Sequence, residues 1–202
     1  MTARDGWRKI PLVSFLVLLF GLTAQTQDSR DDWKYLDIHT DLLRNLPDSL
    51  EDAPLNKEER SQIYQQIVAG LRSEGYLEGL DADAERIQIL AARVGIVHLA
   101  GDARKQFLVK ASRGFCGSGG CPFWLFVTVR GQLQVALDGG AGALLMRQST
   151  SEGFHDLVTF WHRGGGEMGI EVFRWTGRKY ESNDCYIVSR EESGAAVISD
   201  CK

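Results

Sequence analysis

No apolar run in this sequence reaches the ~20 residues that a membrane-spanning helix needs. The longest, "IPLVSFLVLLFGL" over residues 10–22, stops well short of that. Positive charge is not in surplus either. Lys and Arg number 23 against 27 Asp and Glu, a formal charge of −4. Phosphate backbones are bound by an excess of basic side chains, so nucleic acid is excluded as an expected partner. Cysteine is missing from the entire N-terminal half. G-x-S-x-G and H-E-x-x-H are missing throughout, which removes the serine-hydrolase elbow and the zinc-protease helix from consideration.

The one apolar run has a different reading. Arg4, Arg8 and Lys9 precede it, and the small residues of "LTAQTQ" follow it. Basic n-region, apolar h-region and small-residue cleavage site together describe a secretory signal peptide, residues 1–24, cut after Ala24 or alternatively after Thr26. An uncleaved membrane anchor conflicts with the length of the run. No cysteine follows it, so a lipid-modified N-terminus is not expected. Cleavage would remove three basic side chains and one acidic one, taking the charge from −4 to −6. The remaining 178 residues suffice for one domain with a real core. A secreted or periplasmic protein without a membrane span is therefore expected. Its four cysteines, Cys116, Cys121, Cys185 and Cys201, form an even set, which in an exported chain points to two disulfides. Of three possible pairings, Cys116–Cys121 with Cys185–Cys201 needs the least long-range geometry.

Residues 25–55 are charged and loosely patterned, an extended or partly helical arm in which Leu42, Leu43, Leu46 and Leu50 could form one face of a short helix that Pro47 breaks. Residues 56–75 carry the clearest helical pattern. Asn56 and Glu59 stand at capping-box spacing, Ile63, Tyr64, Ile67, Val68 and Leu71 recur at helical intervals, and Gly75 is a stop. From Arg93 onward short apolar runs alternate with glycine turns. "RVGIVHLA" and "KQFLVKAS", "FWLFVTV" and "QLQVALD", "HDLVTFWH" and "GIEVFRW" read as three hairpins, and "RKYES" and "CYIVSR" follow. The expected fold is α+β and mainly β: an amphipathic helix, then an antiparallel sheet of seven to nine short strands, a sandwich or open barrel, within one domain over residues 56–202. In "FWLFVTV" both alternating sets are apolar, so this strand should be covered on both faces.

"CGSGGC" is the most unusual stretch. Thiol–disulfide enzymes usually separate their cysteines by two residues and seat the first at a helix N-terminus. Here four residues intervene and a strand-like run follows. A metal knuckle would need two further ligands close by, and Cys185 and Cys201 offer no second tight pair. A structural clasp is the expected role, with glycines supplying backbone angles that a Cβ disfavours. No metal and no cofactor is expected. His155, Asp156 and His162 are the remaining catalytic or binding candidates. The separation of His155 from His162 puts them on opposite faces of a regular strand, as does the adjacency of His155 and Asp156. His39 and His98 have no partner pattern. "DGGAGALL" lacks the last glycine of the phosphate-binding fingerprint, because Leu145 occupies it. "DADAE" fails as a calcium loop because Arg86 replaces the required glycine.

Four pieces, "RVGIVHLAGDARKQFLV", "FCGSGGCPFWLF", "TSEGFHDLVTFWH" and "FRWTGRKYESNDCY", carry a resemblance. Together they resemble a group of uncharacterised exported bacterial proteins. That group carries a C-G-x-x-G/N-C turn before an aromatic strand, and a late aromatic-x-G-x-x-Y hairpin ending in Cys-Tyr. "GFHDLVTF" and "FRWTGRKY" are also similar to FG-GAP or VCBS-type β-repeats, without the acidic calcium loop of those repeats. The resemblance implies export and a β-rich fold and names no activity. The functional expectation is an exported, non-catalytic module that binds a protein or glycan. The alternatives are a thiol-redox protein or hydrolase of the cell envelope, and an inhibitor of a secreted or envelope hydrolase.

Overall fold

A computed structural model describes residues 41–101, 105–190 and 195–201. The expected signal peptide, residues 25–40 of the arm, and His39 lie outside them. The described chain is mainly β, with two antiparallel five-stranded sheets and two helices.

Helix α1, Lys57–Ser73, begins where the sequence places it. The Asn56 side chain accepts from the Glu59 N–H, and the Glu59 carboxylate accepts from the Asn56 N–H. It ends in a Schellman motif, with Tyr76 N–H donating to the Leu71 carbonyl and Gly75 N–H to that of Arg72. Ile63, Ile67 and Leu71 form its buried stripe. Helix α2, Ala82–Leu90, is not anticipated by the sequence. Asp81 caps it through the Ala84 N–H, but it buries only Ile89, while Ile87 is 68% exposed. One buried residue leaves no periodic stripe to read.

The first sheet is a meander of β1 (Asp48–Ser49), β2 (Arg93–Val97), β3 (Gln106–Lys110), β4 (Cys121–Val129) and β5 (Gln132–Ala141). The second runs β6 (Ala143–Ser151), β7 (Phe154–Gly164), β8 (Glu167–Trp175), β9 (Tyr180–Arg190) and β10 (Ala196–Asp200). Gly142 alone separates β5 from β6, so the chain passes from one sheet to the other there. The three expected hairpins form, with one register shift each in β4–β5 and β7–β8. β1, β6 and β10 were not among the strands read from sequence. "RKYES" and "CYIVSR" turn out to be one continuous strand, β9.

Two large cores sandwich the first sheet. Phe123, Leu125 and Val127 of β4 join Leu108, Leu137, Leu144, Leu157 and others between the sheets. Trp124 and Phe126 join Ile63, Ile67, Leu71, Phe107 and Val109 beneath the helices. β4 is therefore covered on both faces, as its doubly apolar pattern requires. Burying each such side chain is worth about 1.5–3 kcal/mol. Val158, Ile170, Val172 and Tyr186 form a smaller cluster on the outer face of the second sheet.

The arm crosses one end of this sandwich. Leu42 N–H donates to the Leu144 carbonyl in the second sheet, while β1 pairs with β2 in the first. Leu43 and Leu46 enter the core between the sheets, and Leu50 enters the helix-side core. Three basic side chains fasten the arm by its carbonyls. Lys110 Nζ donates to Leu43 at 2.6 Å, Arg93 to Leu46 and Pro47, and Arg60 to Leu50, Glu51, Ala53 and Leu55. At the other end three rings pack together. Phe154 stacks on Trp175 at 4.2 Å, and Tyr180 meets Trp175 edge-on at 5.3 Å. Among the described residues no helix is long and apolar enough to cross a membrane.

Candidate functional site

Both disulfides form, and both are local: Cys116–Cys121 and Cys185–Cys201. Such bonds persist in oxidising surroundings. Cys185–Cys201 ties β9 to the end of β10, beside a hydrogen bond from Cys201 N–H to the Cys185 carbonyl. Cys116–Cys121 closes a miniature hairpin in which Gly117 and Gly120 exchange both backbone hydrogen bonds, at 2.8 and 3.1 Å. Cys116 follows a 3₁₀ turn, Arg113–Phe115, and Cys121 opens β4, so neither sits at the N-terminus of an α-helix. The hairpin lies directly on the point where the chain changes sheets. A Cβ on Gly120 would stand 2.0 Å from the Ala141 carbonyl carbon and 2.3 Å from Gly142 N.

His155, Asp156 and His162 are not brought together. The β6–β7 register slips between Met146–Leu157 and Thr150–His155, so residues 147–149 bulge opposite Asp156. Asp156 is 3% exposed and fills that bulge. Its two oxygens accept from Ser149 Oγ and Ser151 Oγ, each at 2.7 Å. His155 Nδ1 lies 2.7 Å from the Arg147 carbonyl, and its backbone N–H donates to the Leu99 carbonyl just beyond β2. His162 is exposed near the far end of β7. Two of the three thus hold strand geometry in place, and no catalytic pair is formed by them. Among the described residues no group of three His, Cys, Asp or Glu side chains is arranged to hold a metal ion.

Tyr180 is the perturbed phenol among the described residues. It donates to the His155 carbonyl at 2.8 Å. Burial, and secondarily the Asp156 charge, push its pKa far above the ordinary tyrosine range. The folded phenol therefore keeps its proton where the unfolded one loses it. Its contribution is complete below the unfolded value near ~10 and drains away above it, by roughly 1.4 kcal/mol per pH unit. Tyr180→Phe should lose about 1 kcal/mol at neutral pH, from the missing hydrogen bond, and lack this alkaline decline. Denaturant melts of both proteins between pH 8 and 11.5 test this. Parallel pH curves would show that Tyr180 is not the group responsible.

The open chemistry lies elsewhere, along β5. This strand is an edge of the first sheet, and its residues Asp138, Gly139 and Gly140 are exposed. Their outward backbone groups have no backbone partner among the described residues. The register sets Asp138 opposite Trp124, Gly139 opposite Phe123 and Gly140 opposite Pro122. Opposed residues share a face, so Asp138 and Gly140 look toward the helices and Gly139 toward the second sheet.

A cleft opens on each face of these same three residues. The helix-side cleft, about 220 Å³, is walled by Trp124, Pro122, Tyr76, Glu74 and Gly70. The inter-sheet cleft, about 160 Å³, is walled by Phe123, Trp161, Phe173, Thr159 and Glu171. Trp161 takes its place there because Gly169, opposite it on β8, has no side chain. A Cβ on Gly169 would lie 2.1 Å from the indole. A larger groove of about 470 Å³ separates α1 from the β4–β5 turn. Its walls are chiefly amides and carboxylates, among them Gln62, Gln65, Gln66 and Glu58, and its one ring, Phe126, is 1% exposed.

No sequence motif marks this site, because "DGG" reads there only as an incomplete phosphate loop. The signal available was two adjacent glycines inside a strand pattern, which marks a place where another backbone can approach closely. Comparison of the chain with protein-family models, with curated proteins and with solved structures gives no match.

Proposed function

We propose that the protein is an exported, non-catalytic binding module that takes an extended segment of a partner protein onto the free edge of β5. The observation that carries this reading is the Asp138–Gly140 edge, exposed, free of bulk at two successive positions, and flanked by a cleft on each face. An added strand gains affinity from main-chain hydrogen bonds and specificity from pockets that take its alternate side chains. Both requirements meet here. Export is supported by the n-, h- and cleavage-region pattern of residues 1–24 and by two local disulfides. The non-catalytic character is supported by the structural engagement of Asp156 and His155 and by the oxidised state of all four cysteines.

The test uses a displayed library of random nonapeptides, selected on the exported protein. Amide exchange is then followed with and without the recovered peptides. Recovered peptides should slow exchange at residues 138–140, and N-methylation at alternate peptide positions should abolish binding. Recovered peptides that leave those amides unprotected would overturn the reading. So would oligosaccharides that bind the exposed rings while no peptide is recovered.

A further inference from the structure

We propose that the segment accepted by β5 is a basic–aromatic one. Within it, one residue places a Lys or Arg side chain in the helix-side cleft, and its immediate neighbour places an aromatic ring in the inter-sheet cleft. This rests on the strand-addition reading above and specifies its partner.

Neighbouring residues of a strand point to opposite faces. Gly139 and Gly140 are neighbours, each lacking the side chain that would otherwise cover its own face. A strand laid against them therefore presents one side chain to each cleft, and the two clefts select a pair of adjacent residues.

The helix-side cleft is built for a cation. Glu74 and Asp138 contribute two carboxylates, and neither has an ion pair among the described residues. Tyr76, 44% exposed, supplies aromatic surface, while Trp124 is 4% exposed. A basic head beside these carboxylates and the Tyr76 ring is favoured on both counts. A further feature points the same way. The Trp124 indole Nε1 lies against Gly70, where a Cβ would come within 2.8 Å of it, and no described residue accepts from it. An indole N–H on the wall of this open cleft suits a ligand that brings a carbonyl oxygen.

The inter-sheet cleft differs in kind. The partly exposed rings of Trp161 and Phe173 line it beside Thr159 and Glu171, with Phe123 itself 1% exposed. A flat apolar side chain fills such a space, while an acidic one would meet Glu171. The net charge of the whole chain, −4, adds long-range attraction for a basic segment.

The decisive experiment titrates the exported protein with synthetic strand-forming nonapeptides capped at both ends. They differ only at a central pair: Lys-Phe, Glu-Phe, Lys-Glu and Thr-Thr. Tryptophan fluorescence reports binding, and amide exchange at residues 138–140 reports location. Lys-Phe should bind about tenfold more tightly than Glu-Phe or Lys-Glu, with the Lys advantage shrinking as salt rises. Gly140→Val, which meets nothing within 4 Å of its Cβ, should erase the Lys preference. Gly139→Val, 3.8 Å from Phe123, should erase the Phe preference. Equal binding of all four peptides, with amides 138–140 protected, would overturn the basic–aromatic pairing and leave strand addition standing. Binding of none would overturn both. Preferences that survive both valine variants would place the recognition elsewhere and overturn the inference.

Discussion

Gly120→Ala is expected to cost about 4 kcal/mol, a fall in Tm on the order of 10 °C, while Gly117→Ala stays within about 1 kcal/mol of the parent. Two independent costs coincide at Gly120. Its φ of 126° belongs to a region that residues with a Cβ rarely adopt. The added carbon would also stand 2.0 Å from the Ala141 carbonyl carbon and 2.2 Å from its oxygen. Those atoms are main chain at the crossing between sheets, so they cannot swing aside as a side chain could. Relief requires moving either the clasp or the β5–β6 junction. Gly117 shares the clasp and the hairpin pairing but has open space where its Cβ would be and no positive φ. The pair thus separates the fit of the clasp against the junction from the mere presence of glycine in it. Thermal melts under non-reducing conditions, with both disulfides verified by mass, give the comparison. Equal melting of the two variants would show that the clasp does not bear on the junction.

Arg60→Met is the second large effect, expected at about 2–4 kcal/mol. One guanidinium gathers the carbonyls of Leu50, Glu51, Ala53 and Leu55, four partners over a six-residue turn of the arm. Its planar fork reaches several acceptors at once, which a lysine ammonium cannot reproduce. Methionine keeps the packing of the stem and leaves partly buried carbonyls without a donor. Leu50 and Ala53, which the turn delivers to the helix-side core at 0% and 2% exposure, lose their anchor with it. Limited proteolysis should cut between residues 50 and 56 in Arg60→Met well before it cuts the parent. Arg60→Lys should fall between the two. If Arg60→Met melted with the parent and resisted protease equally, the carbonyl cluster would be a surface decoration rather than a fastening.

These two expectations bear on the proposed site. Gly120 fixes the junction that immediately follows Asp138–Gly140. Arg60 fixes the arm turn whose Leu50 and Ala53 share a core with α1, the helix that carries Gly70 and ends beside Glu74 and Tyr76. A loosened clasp should therefore degrade strand capture as well as stability.

The amphipathic helix was legible because its signals are local. Asn56, Glu59 and Gly75 act within a turn of themselves, and Ile63, Ile67 and Leu71 repeat at the helical period. The doubly buried β4 was legible because both alternating sets in "FWLFVTV" are apolar. The local disulfide pairing followed from chain distance alone. α2 escaped notice because one buried isoleucine makes no pattern. β6 escaped because its polar half, "RQSTS", bulges around Asp156 and breaks the alternation. His155 and Asp156 looked like chemistry in the sequence. In the fold they are occupied with the Arg147 carbonyl and two serine hydroxyls, partners that come into reach only when β6 lies beside β7.

Composition, capping and alternation by themselves determined a mainly β protein with one amphipathic helix and short-range disulfides. Each of those properties is settled by residues near one another in the chain. Whether "DGG" is a turn, an inner strand or an edge is not settled that way. Only the pairing order of the strands leaves β5 with a free side. Only the packing of α1 on one face and the second sheet on the other opens a cleft beside each glycine. A binding site made from absent side chains has no residue of its own to announce it, so its walls had to be supplied by distant segments that tertiary structure alone assembles.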